Sequence, residues 1–599
     1  MSYILILDRL NITAKNPTKS VFDIFLTCQS VYNKPMAQNS YTIKIAGPAG
    51  TGIKSIGQLF SKILIAHGFN LADYSEYPSL VRGGHNTYQI TFSLDKVFAA
   101  HQEVDMFFSI NPSHWQPHSD EFTSKTLIFS DEEYSEQSRK GKGIFLSLPL
   151  KTLAGEVGSP LVTNSISLGV AIYLFGLDIN LTKTIVCGFY CKLSDFNAKA
   201  IQAGFDYAKS NFSKFKLNLK CKTNLKRKVE LYDGNESFGW GFLAGGGNFY
   251  VAYPMTPATG ALHFLAAKQE NLSNLKVVHA EDEIGVANLA AGAVFAGART
   301  AVGTSGGGFA LMNEAVSFCG VSEIGLVFYL VSRPGPATGL PTWTSQGDLM
   351  HAIYSGHGEF PKVVIAPGDL KESFEMGYQS LNLAAKLQTP IILVSDKLLS
   401  ESGGSSEDLS KIKVKIENGD IDTKPDKDFK RYKFTSNGVS PRTLPGTANG
   451  QFLANSYEHD EFGFAIEDAK AADKMFAKRL LKNKLAIKLA PKANFFGNKT
   501  AKKLIISWGS PKGAILEALK DIKNKTDYAF LQLRTLWPIN PEIQNLIKPF
   551  KEIIVIENNG TSQMTTLLKS QFEFNPTKFF TKNDGRPFFP EEIIKFLEK

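Results

Sequence analysis

Two loop segments carry side chains that could bind a small carboxylic acid. Residues 253–260 read YPMTPATG, and two prolines restrict the backbone on both sides of Thr256. Residues 333–342 read RPGPATGLPT and begin with Arg333, whose guanidinium can hold a carboxylate through two parallel hydrogen bonds. Both segments follow apolar runs typical of strands, and open α/β sheets bind ligands at the carboxyl ends of their strands. The alternatives are a rigid turn for the first segment and a surface ion pair for Arg333.

Three consecutive acidic residues, Glu281 to Glu283, stand before residues 284–295, a helical stretch rich in alanine and glycine. Acidic residues at the start of a helix usually cap it or complement its dipole. The small residues that follow indicate close packing, and a carboxylate buried there would have a raised pKa and could share a proton. The segment therefore predicts either an ordinary cap or a buried acid/base group.

Two glycine-rich turns could bring backbone close to a ligand. Residues 47–55 read GPAGTGIKS, between a strand-like run and a helical one. Ile53 separates the last glycine from Lys54, so the segment is not a Walker A loop, and its glycine order differs from GxGxxG. It still offers free N–H groups and a nearby charge to an anion. Residues 304–308 (TSGGG) form a second, weaker candidate turn before a helix expected to start near Ala310.

The composition excludes several classes of protein. With 599 residues, 43% hydrophobic and 21% charged, the chain should form about three to five globular domains. Apolar runs are too short to span a membrane, and the five cysteines include no CxxC pair. The net charge of +9 is mild, and eight basic residues within residues 209–228 are typical of a solvated linker. We expect a reduced, cytoplasmic protein without nucleic-acid or membrane partners and without a metal site of its own.

Alternating strand-like and helical patterns predict three α/β domains. The first contains strands at 42–46, 87–92, 104–110 and 126–130 and helices at 55–67, 166–175 and 195–210. The second contains a mostly parallel sheet with strands at 249–253, 277–279, 300–302, 326–331, 363–366 and 391–394. The third contains strands at 504–508, 529–533 and 553–557 and a helix at 512–519. The expected boundaries are an extension (1–40), a first domain (41–210), a basic linker (211–230), a second domain (231–400), a linker and excursion with a charged helix at 460–485 (401–499) and a third domain (500–599).

Taken in order, YPMTP, EDEIGVANLAAGA and SRPGPATGLPT resemble the alpha subunit of 2-oxoacid:ferredoxin oxidoreductases. Upstream, GPAGTGIKS and residues 77–86 (YPSLVRGGHN) resemble the gamma domain of that family, here placed before alpha in one chain. Residues 439–442 (VSPR) and 458–461 (EHDE) match the 2-oxoglutarate type. The resemblance covers about residues 41–599. It implies a gamma-type domain, a pyrimidine-binding-type domain of thiamine diphosphate enzymes and a domain like the transketolase C-terminal domain.

The resemblance also implies an activity and its cofactors. The family decarboxylates a 2-oxoacid oxidatively with coenzyme A and thiamine diphosphate, and electrons leave through iron–sulfur clusters to ferredoxin. The 2-oxoglutarate type forms succinyl-CoA and CO₂. This chain has no Gly-Asp-Gly segment and no four-cysteine cluster pattern. Magnesium and the [4Fe–4S] cluster are therefore expected on a separate beta subunit, with thiamine diphosphate shared between the two chains.

Site residues follow from the same resemblance. By family motif, Glu283 bonds to the pyrimidine ring and Thr256 lies near the reacting group. The implied sets are catalytic (Glu283, Thr256, Arg333), substrate-binding (Arg333, Thr338, Thr256, Lys54) and cofactor-binding (Glu283, Tyr253, Pro254). Alternatives are a pyruvate or branched-chain 2-oxoacid enzyme and a non-catalytic scaffold of the same fold, and the absent GxGxxG disfavours an NAD-linked dehydrogenase.

Overall fold

Three β-sheets with eight, seven and five strands organise the chain in the computed structural model. The structure describes residues 40–79, 83–111, 114–131, 142–190, 194–217, 219 and 228–599. Most neighbouring strands are parallel and helices alternate with them, which confirms the predicted α/β class. Of the expected extension at 1–40, only Ser40 is among the described residues. Residues 218 and 220–227 of the basic segment also lie outside them.

The first sheet is mixed, with β1 pairing parallel to β4 and antiparallel to β3. Its order is β6-β5-β4-β1-β3-β2-β14-β7. Numbered along the chain, the strands are β1 (Tyr41–Ala49), β2 (Asn70–Glu76), β3 (Gly83–Ser93), β4 (Val104–Ser109), β5 (Phe122–Ser130), β6 (Ile144–Ser147), β7 (Val229–Tyr232) and β14 (Gly404–Glu407). The accompanying helices span Ile53–Ala66, Leu150–Val157, Thr163–Phe175, Ile179–Tyr190 and Ser194–Asn211.

Two of these helices pack with their backbones in contact. A Cβ on Gly169 would overlap with the carbonyl of Ile201, and one on Gly204 would overlap with the carbonyl of Ile166. Only glycine lets helices approach this closely, so both positions require it. The contact completes the apolar core beneath the first sheet.

The first sheet recruits strands from outside residues 41–210. Strand β14 pairs with β2 and β7, although the sequence predicts a linker at Gly404–Glu407. Both added strands have four residues, and β14 reads GSSE, with no apolar alternation to reveal it. The first sheet is therefore tied to the segments on both sides of the second.

The second sheet contains six parallel strands and one antiparallel edge strand, in the order β18-β12-β13-β11-β10-β8-β9. The strands are β8 (Phe249–Ala252), β9 (Lys276–His279), β10 (Thr300–Thr304), β11 (Val327–Ser332), β12 (Val363–Ile365), β13 (Ile391–Asp396) and β18 (Thr535–Trp537). Its helices span Gly234–Ala244, Thr259–Gln269, Glu283–Phe295, Gly306–Leu311, Asn313–Val321, Leu349–Tyr354, Leu370–Leu387 and Lys397–Glu401. Helices cover both faces, which explains the continuous apolar strands.

The third sheet has the order β15-β17-β16-β19-β20. Its strands are β15 (Asn494–Gly497), β16 (Lys503–Trp508), β17 (Tyr528–Leu533), β19 (Glu552–Glu557) and β20 (Lys578–Thr581), and its helices span Pro511–Asp521, Glu542–Ile547, Gln563–Gln571 and Pro590–Leu597. One apolar cluster contains side chains of both the second and the third sheet, such as Val302 and Leu504. No helix among the described residues combines the length and apolar character needed to cross a membrane.

A charged helix, Ala469–Leu489, follows a segment with little regular structure. It begins nine residues after the predicted start because the side chain of Asp468 accepts from Ala471 N at 2.8 Å and caps it there. This helix buries Lys478 and Lys482 against Glu323, with Nζ–Oε distances of 2.6 and 2.7 Å. Burial alone would raise the pKa of Glu323, but the charges of Lys482 and Lys478 outweigh it and hold that pKa well below its usual range.

Replacing Glu323 should destabilise the protein strongly, because two buried ammonium groups would lose their counter-charge. We expect Glu323→Gln to lower the free energy of unfolding by about 3–5 kcal/mol. The control is Glu417→Gln, whose partners Lys386 and Lys415 are exposed, and it should cost less than about 1 kcal/mol. The measurement is the urea midpoint of each variant, and equal shifts would contradict the prediction.

Candidate active site

The carboxyl ends of four neighbouring parallel strands meet at one edge of the second sheet. In space their order is β11-β10-β8-β9. The segments that leave these strands are the four chosen from the sequence, at 253–260, 281–283, 305–308 and 333–342. Because parallel strands all end at the same edge, segments up to 80 residues apart in sequence form one site.

The sequence left open whether the acidic segment caps a helix or provides a buried carboxyl group, and two adjacent residues do one each. The carboxylate of Asp282 accepts from Gly285 N at 2.7 Å and is therefore the helix cap. Glu283 begins the helix Glu283–Phe295 and is only 3% exposed. Its Oε1 is buried without a hydrogen-bond partner among the described residues. Burial raises the pKa of Glu283, and the charge of the neighbouring Asp282 adds to that rise.

The glycines after β10 shape the pocket around Glu283. The sequence predicts a turn there, but Gly306 to Gly308 already form the first turn of the helix Gly306–Leu311. A Cβ on Gly308 would overlap with Glu283 Oε1 and Thr304 Oγ1. A Cβ on Gly306 would lie 2.7 Å from Asp348 Oδ2. Small residues are needed because carboxyl groups occupy the space where side chains would be.

Arg333 and Thr256 are in direct contact. Arg333 Nη1 donates to the backbone carbonyl of Thr256 at 2.7 Å, which joins the loop after β11 to the loop after β8. The guanidinium is half-buried, and burial lowers the pKa of Arg333 while the charge of Asp348 opposes that shift. A guanidinium has five N–H donors, so most of them are available to a carboxylate ligand.

Asp348 is a site residue that the sequence analysis missed. Burial raises its pKa, and its Oδ2 has no hydrogen-bond partner in the described part of the chain. It comes just before the short helix Leu349–Tyr354, where His351 packs edge-on against Phe309 with ring centroids 5.3 Å apart. No motif or periodicity marks Asp348, because only the fold brings it beside Gly306.

Three predicted site residues lie on the exposed rim. Tyr253 is 39% exposed and its ring meets His279 edge-on at 6.0 Å. Pro254 and Thr338 are also exposed. Within the described ranges, Thr338 forms no hydrogen bond, with Arg333 or with any other residue.

Lys54 is an exposed residue in the first turn of the helix Ile53–Ala66, against the first sheet. Burial and then the charge of Glu236 raise the pKa of Asp233 to about 8, and the charge of Lys54 opposes that rise. Asp233 caps the helix Gly234–Ala244, in which Asn235 donates to the carbonyl of Pro257 at 3.0 Å. The charge of Lys54 is thus felt at the cap of the helix that supports the Thr256 loop.

Comparisons with known proteins cover nearly the whole chain. Residues 42–207 match the family described as pyruvate ferredoxin/flavodoxin oxidoreductase, and residues 241–478 match its thiamine diphosphate-binding family. A 2-oxoacid:ferredoxin oxidoreductase subunit alpha from a Sulfolobus species is 31% identical over 93% of this chain and 96% of its own length. The chain belongs to the 2-oxoacid:ferredoxin oxidoreductase alpha-subunit family.

Two further proteins that are similar to this chain carry 2-oxoglutarate in their names. The 2-oxoglutarate oxidoreductase subunit KorA of Mycobacterium tuberculosis is 25% identical over 93% of this chain and 90% of its own. The 2-oxoglutarate:ferredoxin oxidoreductase of Magnetococcus marinus, solved with 2-oxoglutarate, coenzyme A and succinyl-CoA bound, is 28% identical. It superposes with a TM-score of 0.86 over 94% of this chain and 99% of its own. The resemblance and the oxidoreductase class stated from the motifs are thus confirmed.

A substitution of Gly308 tests whether the position of the Glu283 carboxyl group matters for activity. Gly308→Ala should displace Glu283 and lower 2-oxoacid-dependent viologen reduction by about 100-fold or more, because one positioned acid/base group contributes about that much. Gly307→Ala is the matched control, since its Cβ would meet nothing within 4 Å. Both variants should keep the melting temperature within a few degrees. Equal activity of the two variants would contradict this account of the site.

Proposed function

We propose that this chain combines the gamma and alpha parts of a 2-oxoglutarate:ferredoxin oxidoreductase that works with a separate beta subunit. The reaction converts 2-oxoglutarate and coenzyme A to succinyl-CoA and CO₂, and an electron pair passes to ferredoxin. The observation that carries the proposal is Oε1 of Glu283, which is buried at the convergent strand ends without a partner among the residues that the structure describes. The ligands named for the Magnetococcus marinus structure support the choice of substrate.

The residues around Glu283 fit thiamine diphosphate. A buried carboxyl oxygen without a partner costs free energy, which a bound ring nitrogen would recover. When bound, thiamine diphosphate supplies the nucleophilic carbon and the electron sink for decarboxylation. Glu283 would hold a proton at Oε1 against the pyrimidine ring, and its burial strengthens that bond. Tyr253 and Pro254, on the rim of the same pocket, would flank the ring.

Arg333 would bind the carboxylate next to the keto group. Its contact with the Thr256 carbonyl fixes one edge of the guanidinium and directs the remaining donors into the pocket. Thr256 would then lie beside the keto carbon. Thr338, on an exposed loop that begins at the same arginine, would reach the carboxylate when the loop closes over substrate.

Lys54 would pair with the second carboxylate of 2-oxoglutarate. A dicarboxylate needs two cationic groups, and the charge of Lys54 acts on Asp233, which caps the helix that bonds to the Thr256 loop. Pyruvate and 2-oxoisovalerate have a single carboxylate and would not need Lys54. This difference distinguishes the proposed substrate from the pyruvate and branched-chain alternatives.

The beta subunit would cover the open side of the site. Exposed apolar side chains lie on the loops and helices that form the site, and such side chains mark an interface where they form a patch. They are Tyr253, Ile284, Leu289, Leu311 and Leu340, which are 39–51% exposed. Magnesium and the [4Fe–4S] cluster would lie on that subunit, because the sequence of this chain lacks Gly-Asp-Gly and CxxC.

The role of Glu283 is tested by a conservative substitution. We expect Glu283→Gln to lower turnover by about 10³-fold, because glutamine cannot exchange the proton. Glu281→Gln, an exposed neighbour, is the control and should retain activity. The assay is coenzyme A-dependent viologen reduction by the anaerobically co-expressed complex. A folded Glu283→Gln enzyme with normal turnover would reject the catalytic assignment and favour a scaffold.

The substrate is tested by comparing 2-oxoglutarate, pyruvate and 2-oxoisovalerate in the same assay. Lys54→Met should lower kcat/KM for 2-oxoglutarate by about 10–100-fold, since one charged contact contributes about 1.5–3 kcal/mol. Activity with pyruvate, where detectable, should not change. Lys62→Met alters an exposed lysine two turns along the same helix and should affect neither substrate. If the enzyme prefers pyruvate or 2-oxoisovalerate, the assignment of 2-oxoglutarate as the substrate is wrong.

A further inference from the structure

A second cavity of about 290 Å³ lies at the opposite edge of the second sheet. Its lining includes the residues just before four strands, among them Asn248, Arg299, Ile324 and Gln388. Strands of four to six residues separate it from the Glu283 edge, which corresponds to about 13–20 Å. The cavity is therefore distinct from the candidate active site. The segment after residue 417 closes its outer side.

Three arginines line this cavity: Arg299, Arg431 and Arg442. Burial, and then the charge of Arg442, lowers the pKa of Arg299 to about 10. Burial, and then the charge of Arg431, lowers the pKa of Arg442. The three guanidinium groups are therefore close enough to repel one another. Such an arrangement is unfavourable without an anion between them.

The hydrogen bonds of the three arginines differ. Arg299 is satisfied by protein, for example at Gly245 O (2.8 Å) and Asn382 Oδ1 (2.8 Å). Arg442 makes one bond of 3.3 Å to the carbonyl of Val294. Arg431 is 3% exposed, and its Nη2 donates to the backbone carbonyl of Glu323 at 2.9 Å. Its Nη1 is buried without a partner in the described part of the chain. Donors of Arg431 and Arg442 thus remain available inside a cavity.

One carboxylate lines the cavity, and it faces more positive charge than it can balance. Glu323 pairs with Lys478 and Lys482, and the charge of Arg431 also acts on it. In the ranges that the structure describes, no carboxylate forms an ion pair with Arg299 or Arg442. The cavity therefore carries a net positive charge that this chain leaves uncompensated. The rest of its lining is mixed, with neutral polar residues such as Asn248 and Thr443 and an apolar part where Phe452 and Phe295 are in tilted contact at 5.3 Å.

We propose that this cavity, between Arg431 and Arg442, binds a small organic anion with at least two anionic oxygens on a compact body. Phosphate monoesters and polycarboxylates share this chemistry, and a guanidinium binds either through paired hydrogen bonds. The volume accommodates a metabolite and excludes a polymer. Arg442 belongs to the VSPR segment at 439–442, and this role gives that motif a physical purpose.

The anion would lie at the far end of the helix that carries Glu283. The helix Glu283–Phe295 ends at the cavity, where Val294 and Phe295 line it and Arg442 bonds to a C-terminal carbonyl. A positive group favours that end of a helix, and an anion bound there would compete for the same arginine. A bound anion would therefore change the contacts at the C-terminal end of this helix, while Glu283 lies at the N-terminal end.

Calorimetric titration of the assembled complex at low salt tests this proposal. The probes are inorganic phosphate, 5′-AMP and citrate, each up to about 10 mM. Arg442→Gln should weaken binding by at least about tenfold, and Arg442→Lys should retain part of it. Ala454→Leu fills the cavity without changing its charge and should also abolish binding. Lys415→Gln removes an exposed charge from the same segment and is the control.

The probes separate the two sources of anion. If phosphate or 5′-AMP binds to the original chain and both cavity variants lose that binding, the cavity is a phosphate site. If only citrate behaves in this way, the cavity is a polycarboxylate site. No heat with any probe, or equal affinities in the original chain and Ala454→Leu, would overturn the proposal. Ala454→Leu decides the outcome if Arg442→Gln fails to fold.

Discussion

The candidate site depends on the parallel pairing of β11, β10, β8 and β9. Parallel strands end at the same edge, so one pairing pattern brings together Thr256, Glu283 and Arg333 from separate parts of the chain. An antiparallel neighbour would have sent its loop to the other edge. The same pairing places the arginine-lined cavity at the amino ends of these strands. Both sites are thus consequences of a single sheet topology.

Four unsatisfied polar atoms lie at the carboxyl-end edge. Glu283 Oε1, Ser305 Oγ, Ser332 Oγ and Asp348 Oδ2 are all buried without partners among the described residues. Each such atom costs about 1–3 kcal/mol when desolvated and unpaired. A fold retains groups like these where a ligand supplies the missing hydrogen bonds. Burial of apolar side chains in the cores that pack against the sheet offsets this loss of stability.

Buried polar contacts hold the first sheet against the other two and so position Lys54. Asp73 accepts from Tyr88 Oη at 2.5 Å and from the backbone N–H of Gly403, and burial raises the pKa of Asp73 to about 6. Lys397 donates to the carbonyl of Ser75 at 2.6 Å, which ties the helix after β13 to the first sheet. These contacts join the first sheet to the segment that carries the site.

The sequence by itself determined the α/β class, nearly all of the longer strands and the ordered motifs that identify the family. Long apolar strands and helices are visible because burial requires a repeating pattern. It could not show that Asp282 caps the helix while Glu283 is buried, since adjacent carboxylates differ only in direction. It could not reveal Asp348, the four-residue strands β7 and β14, or the meeting of Arg431 with Arg442 around a cavity. Those features arise from contacts between distant segments, which leave no local periodicity, and only the tertiary structure decides them.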